Sequence, residues 1–296
     1  MTIVMTGATS GIGAEALKHF AALANTKIYI GARGKGRDVP KGTAVIPLDL
    51  SSLESVRNFA EEVKQQLGNT KIEILILNAG IQATDNIQKS NEGFELTFAT
   101  NHLAHYLLAR LLFPNLAKGG KIVITTSDAH DPEVIFFGPK TLDIKALAYP
   151  DENSPKGMRF YAATKLCNLL TARSLLAIGS KHNNGVRVIA YNPGLTGDTS
   201  LMGKQSAFTK ILLPVIRPLF YFISMFKPAF FMGTAKRSGE ALAELALGKV
   251  TLPGDKIYAS LVKGKLTFPN ISHLAQDDSI RDLLWIESAK MVALPE

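Results

Sequence analysis

Short apolar runs rich in valine and isoleucine alternate with longer stretches of helical periodicity, and this alternation constrains the fold of the chain more than any other feature. Several runs are apolar at every position, as parallel strands are when helices cover both faces of their sheet. The predicted strands are Ile3–Thr6, Lys27–Gly31, Ala44–Leu48, Ile72–Leu77, Lys121–Thr126, Val186–Tyr191 and Lys256–Leu261. The predicted helices are 12–24, 52–67, 93–117, 158–179 and 234–247. This order predicts an α/β fold, a doubly wound parallel sheet with helices on both faces.

α/β folds routinely reach about 250 residues as one unit, and no internal repeat or linker divides this chain of 296 residues. We therefore expect one domain over residues 1–296, with 195–233 as an insertion-like segment. The composition, 46% hydrophobic and 20% charged, excludes a disordered chain. Cys167 stands alone in the sequence, which excludes an internal disulfide and a cysteine-based zinc site and is typical of a reducing compartment.

The connection between the second and third predicted strands, Ala32–Thr43, shows no helical period and is rich in glycine and proline. Crossovers between parallel strands normally contain a helix, so we expect a bare loop here in place of one. The loop carries Arg33, Lys35, Arg37 and Lys41. Although the net charge is +8, the chain has no long basic block and no aromatic–basic ladder, and we expect no nucleic-acid partner.

A glycine-rich turn lies between the first predicted strand and the first predicted helix, with the spacing Gly-x-x-x-Gly-x-Gly. Such a turn presents backbone N–H groups and the positive end of the helix dipole to a pyrophosphate, as in Rossmann-type dinucleotide sites. The spacing differs from the common Gly-x-Gly-x-x-Gly, but the strand–turn–helix context is the same. We expect cofactor contacts from Gly7, Thr9, Ser10, Gly11, Ile12 and Gly13.

The end of the second predicted strand discriminates between NAD and NADP. NAD sites usually place an acidic residue there for the ribose 2′-hydroxyl, whereas NADP sites place a cation for the 2′-phosphate. Here the strand is followed by Ala32 and Arg33, and Asp38 comes late, among cations. Arg33 is the first candidate for a 2′-phosphate contact, and the sequence predicts NADP(H).

Several chemically active side chains follow strand ends. Tyr161 and Lys165, at i and i+4, share one face of the helix after the fifth predicted strand. Ser127 follows that strand, Asn101 lies in the helix before it, and 78–80 (Asn-Ala-Gly) follows the fourth strand. Because the carboxyl ends of parallel strands border one crevice, we expect these residues to lie together beside the glycine turn.

Taken in order, these motifs resemble the short-chain dehydrogenase/reductase family over about Thr2 to Gly194. The resemblance implies that Tyr161 is the general acid and base, and that Lys165 is the cation a phenol with a pKa near 10 needs beside it. It also implies that Ser127 donates a hydrogen bond to the substrate oxygen and that Asn101 holds a water linked to Lys165.

The same resemblance implies further cofactor contacts and an activity. Besides Tyr161 and Lys165, the implied contacts are Asp49 and Leu50 at the adenine, the backbone of Asn78, Ala79 and Gly80, and Pro193, Gly194 and Thr196 at the nicotinamide end. The implied activity is an NADP(H)-dependent hydride transfer between nicotinamide and a bulky apolar carbonyl compound or its alcohol.

Two branches of the family share further features with this chain. The segment 127–130, with a long stretch before Tyr161, resembles retinol-dehydrogenase-like proteins, whereas 165–171 and 285–294 resemble light-dependent protochlorophyllide reductases. The latter carry a functional cysteine directly after their Pro-Gly pair, where this chain has Leu195. Two alternatives stay open: a protochlorophyllide-reductase-like C=C reductase, and a non-catalytic NADP-binding sensor or interaction protein.

The apolar segment 211–232 is long enough to cross a membrane, but three prolines, Arg217 and Lys227 interrupt it. Three interpretations stay open: a lid over a bulky apolar substrate, a subunit interface, and an amphipathic element in peripheral contact with a membrane. The family resemblance adds an expectation of homo-oligomers. The amino end lacks the pattern of a secretory signal, so we expect a cytoplasmic protein, peripheral at a membrane surface under the third interpretation.

Three further side chains invite functional interpretations. His102 and His105 have no carboxylates at metal-ligand spacing, so we expect structural or interface histidines and no metal site. We expect Cys167 to be a small buried helix residue.

Overall fold

The computed structural model describes residues 1–34, 38–82, 87–181, 185–197 and 224–295. Its strands are β1 Thr2–Thr6, β2 Lys27–Ala32, β3 Thr43–Pro47, β4 Ile72–Leu77, β5 Leu116–Thr125, β6 Arg187–Asn192, β7 Tyr258–Val262 and β8 Lys265–Thr267. They form one sheet in the order β3-β2-β1-β4-β5-β6-β7-β8. All neighbours are parallel except β7 and β8. The predicted doubly wound parallel sheet is confirmed, with the short edge strand β8 as an addition.

Helices lie on both faces of this sheet. They are α1 Gly11–Ala21, α2 Leu53–Leu67, α3 Leu96–Phe98, α4 Ala104–Leu112, α5 Ile144–Ala148, α6 Gly157–Lys181, α7 Ala235–Leu247, α8 His273–Gln276 and α9 Asp278–Met291. The described part of the connection between β2 and β3 contains no helix, as expected for that short basic loop.

The predicted helix 93–117 is wrong in two respects. A π-helical segment, Ala99–Leu103, separates α3 from α4, and β5 already begins at Leu116. Pro114 lies in a 3-10 turn directly after α4 and, because it lacks an N–H, cannot continue the helix. The π-helical segment contains Asn101, which places an irregular turn where the sequence predicts a functional residue.

Side chains of the strands alternate between two hydrophobic clusters, one on each face of the sheet. In β1, Val4 belongs to one cluster, whereas Ile3 and Met5 belong to the other. The first cluster includes α2, α4 and α6, and the second includes α1 and α7. This double coverage explains why several strands are apolar at every position.

The strand order reverses between β1 and β4. The chain runs from β1 outward through β2 and β3, and then crosses to β4 on the other side of β1. The loops after β1 and β4 therefore leave in opposite directions and open a crevice at the carboxyl ends of these strands. The sequence-predicted site residues follow the ends of strands on both sides of this crevice.

The carboxyl-terminal helix α9 is fixed to α4 through aromatic and cationic contacts. The rings of Tyr106 and Trp285 meet edge to face with centroids 4.8 Å apart, and the Arg110 guanidinium lies 4.8 Å from the Trp285 ring centroid. Tyr106 donates its hydroxyl to the Trp285 carbonyl at 3.0 Å. Arg173 of α6 forms an ion pair of 2.6 Å with Asp278 of α9. The last helix thus packs against both α4 and α6.

Among the described residues, no helix is both long and apolar enough to cross a membrane. Most of the apolar segment 211–232 lies outside the described residues, which leave out 198–223. The three interpretations of that segment therefore stay predictions.

Helix α7 approaches α1 closely at Gly239. A Cβ atom there would lie 2.7 Å from the Ile12 carbonyl oxygen and 2.5 Å from Glu15 Cβ. We expect Gly239→Ala to lower the free energy of unfolding by about 1–3 kcal/mol, because backbone must move apart to admit the methyl group. Helix propensity alone predicts the opposite sign, since alanine is the better helix former by about 1 kcal/mol.

Denaturant unfolding of wild type and variant measures this difference. The control is Lys236→Ala in the same helix, where the exposed side chain can be removed within about 0.5 kcal/mol. A Gly239→Ala protein as stable as wild type would show that the two helices are not held at this distance.

Candidate active site

The glycine turn after β1 is tight at three positions. Gly7 and Gly11 have φ angles of +67° and +53°, in the left-handed region that side chains disfavour. Gly13 has an ordinary φ, but a Cβ there would lie 1.9 Å from the Gly7 carbonyl oxygen. A Cβ on Gly7 would lie 2.6 Å from the backbone of Ala79. The turn therefore brings the start of α1 directly against the end of β4.

The amino end of α1 is suited to an anion. Ser10 precedes the helix in an extended conformation and makes no side-chain cap, and the first turn contains no acidic residue. Since the first N–H groups of a helix lack intrahelical partners, they attract negative charge. The turn has the donor set that a pyrophosphate requires.

Asn78 and Thr6 join the ends of three strands. The Thr6 hydroxyl oxygen accepts from the backbone N–H groups of Asn78, at 3.1 Å, and Ala79, at 3.2 Å. Asn78 donates from Nδ2 to the Gly7 carbonyl at 3.1 Å, and its Oδ1 accepts from the Thr125 hydroxyl at 3.0 Å. The ends of β1, β4 and β5 are therefore fixed relative to one another by hydrogen bonds.

Asn101 is fully buried in the π-helical segment, and its side chain is satisfied on both sides. Its Oδ1 accepts from the Ile81 N–H at 2.8 Å, and its Nδ2 donates to the Ile81 carbonyl at 2.8 Å and to the Thr164 hydroxyl at 3.2 Å. A Cβ on Gly80 would lie 3.3 Å from Asn101 Oδ1 and 3.4 Å from Lys165 Nζ. The predicted residues 80, 101 and 165 therefore meet at one point.

Tyr161 and Lys165 lie one turn apart in α6, and both are buried. The Lys165 ammonium donates to the Thr125 carbonyl at 3.2 Å and lies 5.5 Å from the centroid of the Tyr161 ring. Burial raises the pKa of the Tyr161 phenol, and burial lowers the pKa of Lys165 from 10.5 to about 8. The phenol is therefore protonated at neutral pH beside an amine that gives up its proton more readily than usual.

Ser127 ends the extended stretch after β5 and begins a 3-10 turn. Its hydroxyl oxygen accepts from the Ala129 N–H at 3.2 Å, and its carbonyl accepts from His130 Nδ1 at 2.7 Å. The buried His130 ring also meets Tyr258 edge to face at 5.1 Å. Ser127 thus sits on a turn that a buried histidine holds in place.

The loops after β2 and β3 contain the predicted adenine-side residues. Arg33 is exposed directly after β2. The Asp49 carboxylate is oriented by Ser51, whose N–H donates to it at 3.0 Å and whose hydroxyl donates at 2.7 Å, and Leu50 next to it is half-buried. Residues 35–37, which include two of the predicted basic side chains, lie outside the described residues.

The loop after β6 is held from several sides. Gly194 has a φ of +71°, and its N–H donates to Asn192 Oδ1 at 3.1 Å. The Pro193 carbonyl accepts from the Ser238 hydroxyl at 3.0 Å, and the Thr196 hydroxyl donates to the Gly194 carbonyl at 3.2 Å. Thr196 also forms a parallel bridge with Gly233. The two ends of the predicted insertion 195–233 therefore meet next to the crevice.

A polar network that no sequence pattern predicts connects the turn at Ser127 with this loop. The Asp128 carboxylate accepts from the Tyr258 hydroxyl at 2.5 Å and from the Ser260 hydroxyl at 3.2 Å. Ser260 in turn accepts from Asn192 Nδ2 at 2.9 Å. The available sequence clue was an acidic residue directly after Ser127, but its partners lie about 130 positions away and no local pattern pairs them.

Metal ligation has no support among the residues that the structure describes, where no group of three or more histidine, cysteine, aspartate or glutamate side chains could hold an ion.

Comparison with known proteins finds similarity to dehydrogenases, reductases and oxidoreductases. Residues 1–138 match the family model described as short chain dehydrogenase. The chain is 28% identical to a protochlorophyllide reductase of Avena sativa over 99% of both sequences. It is 32% identical to a WW domain-containing oxidoreductase of Danio rerio over 73% of its own length, and spans 54% of that protein.

Solved structures share the fold over most of the chain. A crystal structure from Mycobacterium paratuberculosis superposes with a TM-score of 0.70 at 25% identity, covering 99% of this chain and 93% of that one. The NADPH-bound carbonyl reductase from chicken fatty liver superposes with a TM-score of 0.59 at 18% identity, covering 90% of this chain and 98% of that one.

We expect the Lys165 ammonium to lose its proton with a midpoint near pH 8, because burial disfavours its charged form. NMR titration of lysine labelled with ¹³C at Cε measures this midpoint. The Lys165→Met variant identifies the signal, since that signal alone should disappear from the spectrum. A midpoint at pH 10 or above would show that the ammonium is as well solvated as a surface lysine.

Proposed function

We propose that this chain, which belongs to the short-chain dehydrogenase family and is an oxidoreductase, transfers a hydride between NADP(H) and a bulky apolar carbonyl compound or its alcohol. The observation that carries the proposal is the buried pair of Tyr161 and Lys165, which shares the crevice at the strand ends with the glycine turn. A protein that only binds a nucleotide has no need of a phenol and an ammonium in this place.

In the proposed reaction Tyr161 donates a proton to the carbonyl oxygen during reduction. Because burial raises its pKa, the phenol carries its proton at neutral pH, and the ammonium beside it is needed to make that proton easier to give up. Lys165 stays largely charged below its pKa of about 8 and stabilises the phenolate that proton donation leaves behind. Ser127 donates a hydrogen bond to the substrate oxygen, and Asn101 connects Lys165 to a water. The phenol and the ammonium therefore carry the protons that the reduction step uses.

NADPH supplies the hydride when bound, and the residues of the crevice fit it. The uncapped amino end of α1 and the tight turn at Gly7, Gly11 and Gly13 offer N–H donors to the pyrophosphate. The proposed contacts also include Thr9, Ser10 and Ile12 in the turn, Asp49 and Leu50 at the adenine, Asn78, Ala79 and Gly80 along the dinucleotide, and Pro193, Gly194 and Thr196 at the nicotinamide.

The residues after β2 favour NADP over NAD. Gly31 and Ala32 end the strand, and Arg33 follows where an NAD site would have a carboxylate. Other proteins with this fold bind such cofactors. The structure from Burkholderia cenocepacia contains NADP, and that from chicken fatty liver contains NADPH. At 22% and 18% identity, those structures support the fold alone. The support for a 2′-phosphate contact in this chain is the positive charge of Arg33.

Exposed apolar side chains near the site support an apolar substrate. Met158 is 37% exposed just before Tyr161, and Leu195 is 39% exposed directly after Gly194. Apolar side chains that face water beside a crevice mark a surface that an apolar ligand or a covering segment can bury.

A C=C reductase resembling protochlorophyllide reductase is the second candidate, because the similarity to that enzyme of Avena sativa extends over the full length. Against it stands Leu195, at the position where those reductases carry a functional cysteine. Cys167 cannot replace that cysteine, since it is buried in α6 and burial raises its pKa. Reduction of a tetrapyrrole that requires light, with no reduction of carbonyl compounds in the dark, would establish this alternative.

A non-catalytic protein that binds NADP as a sensor is the third candidate. NADPH oxidation with a panel of aldehydes, ketones and quinones discriminates it from an enzyme, because a sensor binds the cofactor without turnover.

We expect Tyr161→Phe to reduce kcat by about 10²-fold or more while leaving the fold and NADPH binding intact, because only the proton donor is removed. Steady-state kinetics with the best carbonyl compound of the panel measures the loss. Tyr149→Phe, at an exposed tyrosine outside the crevice, is the matched control and should retain full activity. Near-normal turnover by Tyr161→Phe would exclude the phenol as the proton donor.

We expect Arg33→Ala to weaken the binding free energy of NADPH by about 1.5–3 kcal/mol, the range of a hydrogen bond to a charged group, and to leave that of NADH nearly unchanged. Fluorescence titration with both cofactors measures the two constants. Lys27→Ala, at the opposite end of the same strand β2, controls for a general loss of positive charge. Equal losses for both cofactors would place Arg33 away from the 2′-phosphate.

A further inference from the structure

Two buried histidines three positions apart have different surroundings. His102, in the π-helical segment, contacts the Ser288 hydroxyl of α9 through Nε2 at 2.8 Å. His105, in the first turn of α4, contacts the Thr6 hydroxyl through Nε2 at 2.9 Å and the Asn101 carbonyl through Nδ1 at 3.1 Å. His102 is 1% exposed and His105 is 2% exposed. His102 therefore fixes the carboxyl-terminal helix, whereas His105 touches two residues of the candidate site.

Counting hydrogens assigns the tautomer of His105. The Thr6 oxygen already accepts from the N–H groups of Asn78 and Ala79, which uses both of its lone pairs. Its hydroxyl proton must therefore point at His105 Nε2, which accepts it. The Asn101 carbonyl can only accept, so Nδ1 carries the hydrogen. A neutral imidazole with its proton on Nδ1 satisfies every one of these bonds.

A charged imidazole cannot make the same set of bonds. A second proton on Nε2 would face a Thr6 oxygen that has no lone pair left to receive it. The Lys165 ammonium acts on the same ring and also disfavours a positive charge there. Burial is the larger cause and lowers the pKa of His105 from 6.5 to about 4, so the neutral form persists over the physiological range.

We propose that His105 is a positioning residue that links the cofactor side of the crevice to the proton-transfer side through its two ring nitrogens. On one side it orients the Thr6 hydroxyl, which holds Asn78 and Ala79 where the proposed function places the dinucleotide. On the other side it holds the carbonyl of Asn101, the residue that the proposed function assigns to connect Lys165 with a water. The inference rests on the proposed function for the roles of these partners, while the hydrogen bonds themselves do not depend on it.

The two bonds have different consequences and can be removed separately. Without the Nε2 acceptor, the buried Thr6 hydroxyl proton has no partner, and reorientation of the hydroxyl weakens the bonds that its oxygen accepts from the two backbone N–H groups, which loosens the cofactor side. Without the Nδ1 donor, the Asn101 carbonyl loses a hydrogen bond and the proton-transfer side loosens. The amide of asparagine reaches about as far as Nδ1 of histidine, and that of glutamine about as far as Nε2. His105→Asn therefore keeps the bond to Asn101, and His105→Gln keeps the bond to Thr6.

The test compares these two variants in the full chain. We expect His105→Asn to raise the Kd for NADPH about fivefold to tenfold with a smaller change in kcat, the effect of about one hydrogen bond. We expect His105→Gln to lower kcat by a similar factor with an NADPH Kd near that of wild type. Fluorescence titration gives the Kd, and steady-state kinetics with the best carbonyl compound of the panel gives kcat.

His102→Asn is the matched control. It also removes a buried ring from this helical stretch, but the ring of His102 contacts Ser288 of α9 and not the candidate site. It should lower Tm and leave both constants within twofold of wild type. If both His105 variants behave like this control, or if each changes Kd and kcat in the same proportion, the proposal is overturned. Absence of turnover in wild type would contradict the proposed function instead, and the Kd measurements would still test the Thr6 side.

A measurement on wild type covers the case in which the variants do not fold. The long-range ¹H–¹⁵N NMR spectrum distinguishes a ring nitrogen that carries hydrogen from one that does not. We expect His105 to show a protonated Nδ1 and a bare Nε2 at neutral pH. A proton on Nε2, in either the other tautomer or the charged form, would overturn the proposal.

Discussion

The candidate site depends on how the ends of β1 and β4 are held together at the point where the strand order reverses. Parallel strands that diverge into opposite connections leave a crevice, but the sheet ladder alone does not fix the loops that border it. Here a hydroxyl oxygen, that of Thr6, accepts from two consecutive N–H groups of the neighbouring loop. The Asn78 side chain then extends the connection to the next strand. The glycine turn can approach the end of β4 closely because Gly7 and Gly13 have no side chains to separate the backbones.

The second constraint is a buried positive charge that has no acidic partner at hydrogen-bond distance among the residues that the structure describes. Lys165 donates to the Thr125 carbonyl and faces the Tyr161 ring, and both interactions recover only part of the lost hydration. The lowered pKa of the ammonium is the consequence. A lysine in this state responds strongly to any negative charge that forms beside it, including a phenolate. The fold thus tolerates an unfavourable charge at the position where the proposed reaction requires one.

Much of this arrangement follows from sequence patterns with short spacing. The strand runs, the glycine turn and the positions at strand ends predict the sheet and the crevice, because topology brings the ends of parallel strands together. The interruption of the helix around Asn101 could not be predicted, since π-helical turns have no clear local pattern. The Asp128–Tyr258 contact joins distant parts of the chain, and pairing of that kind is set by the folded sheet. The sequence predicts a structural or interface histidine at His105, and only the folded structure shows that its ring contacts Thr6 and Asn101.

The bridge between Thr196 and Gly233 has a consequence for the evolution of such a protein. Gly233 donates its N–H to the Leu195 carbonyl at 2.8 Å, so the chain leaves the framework and returns to it at nearly one point. A stretch with adjoining ends can be lengthened, shortened or exchanged at little entropic cost, and without moving the strands on either side. Related proteins can then differ in the stretch between these two residues, while the buried phenol, the ammonium and the glycine turn are inherited unchanged.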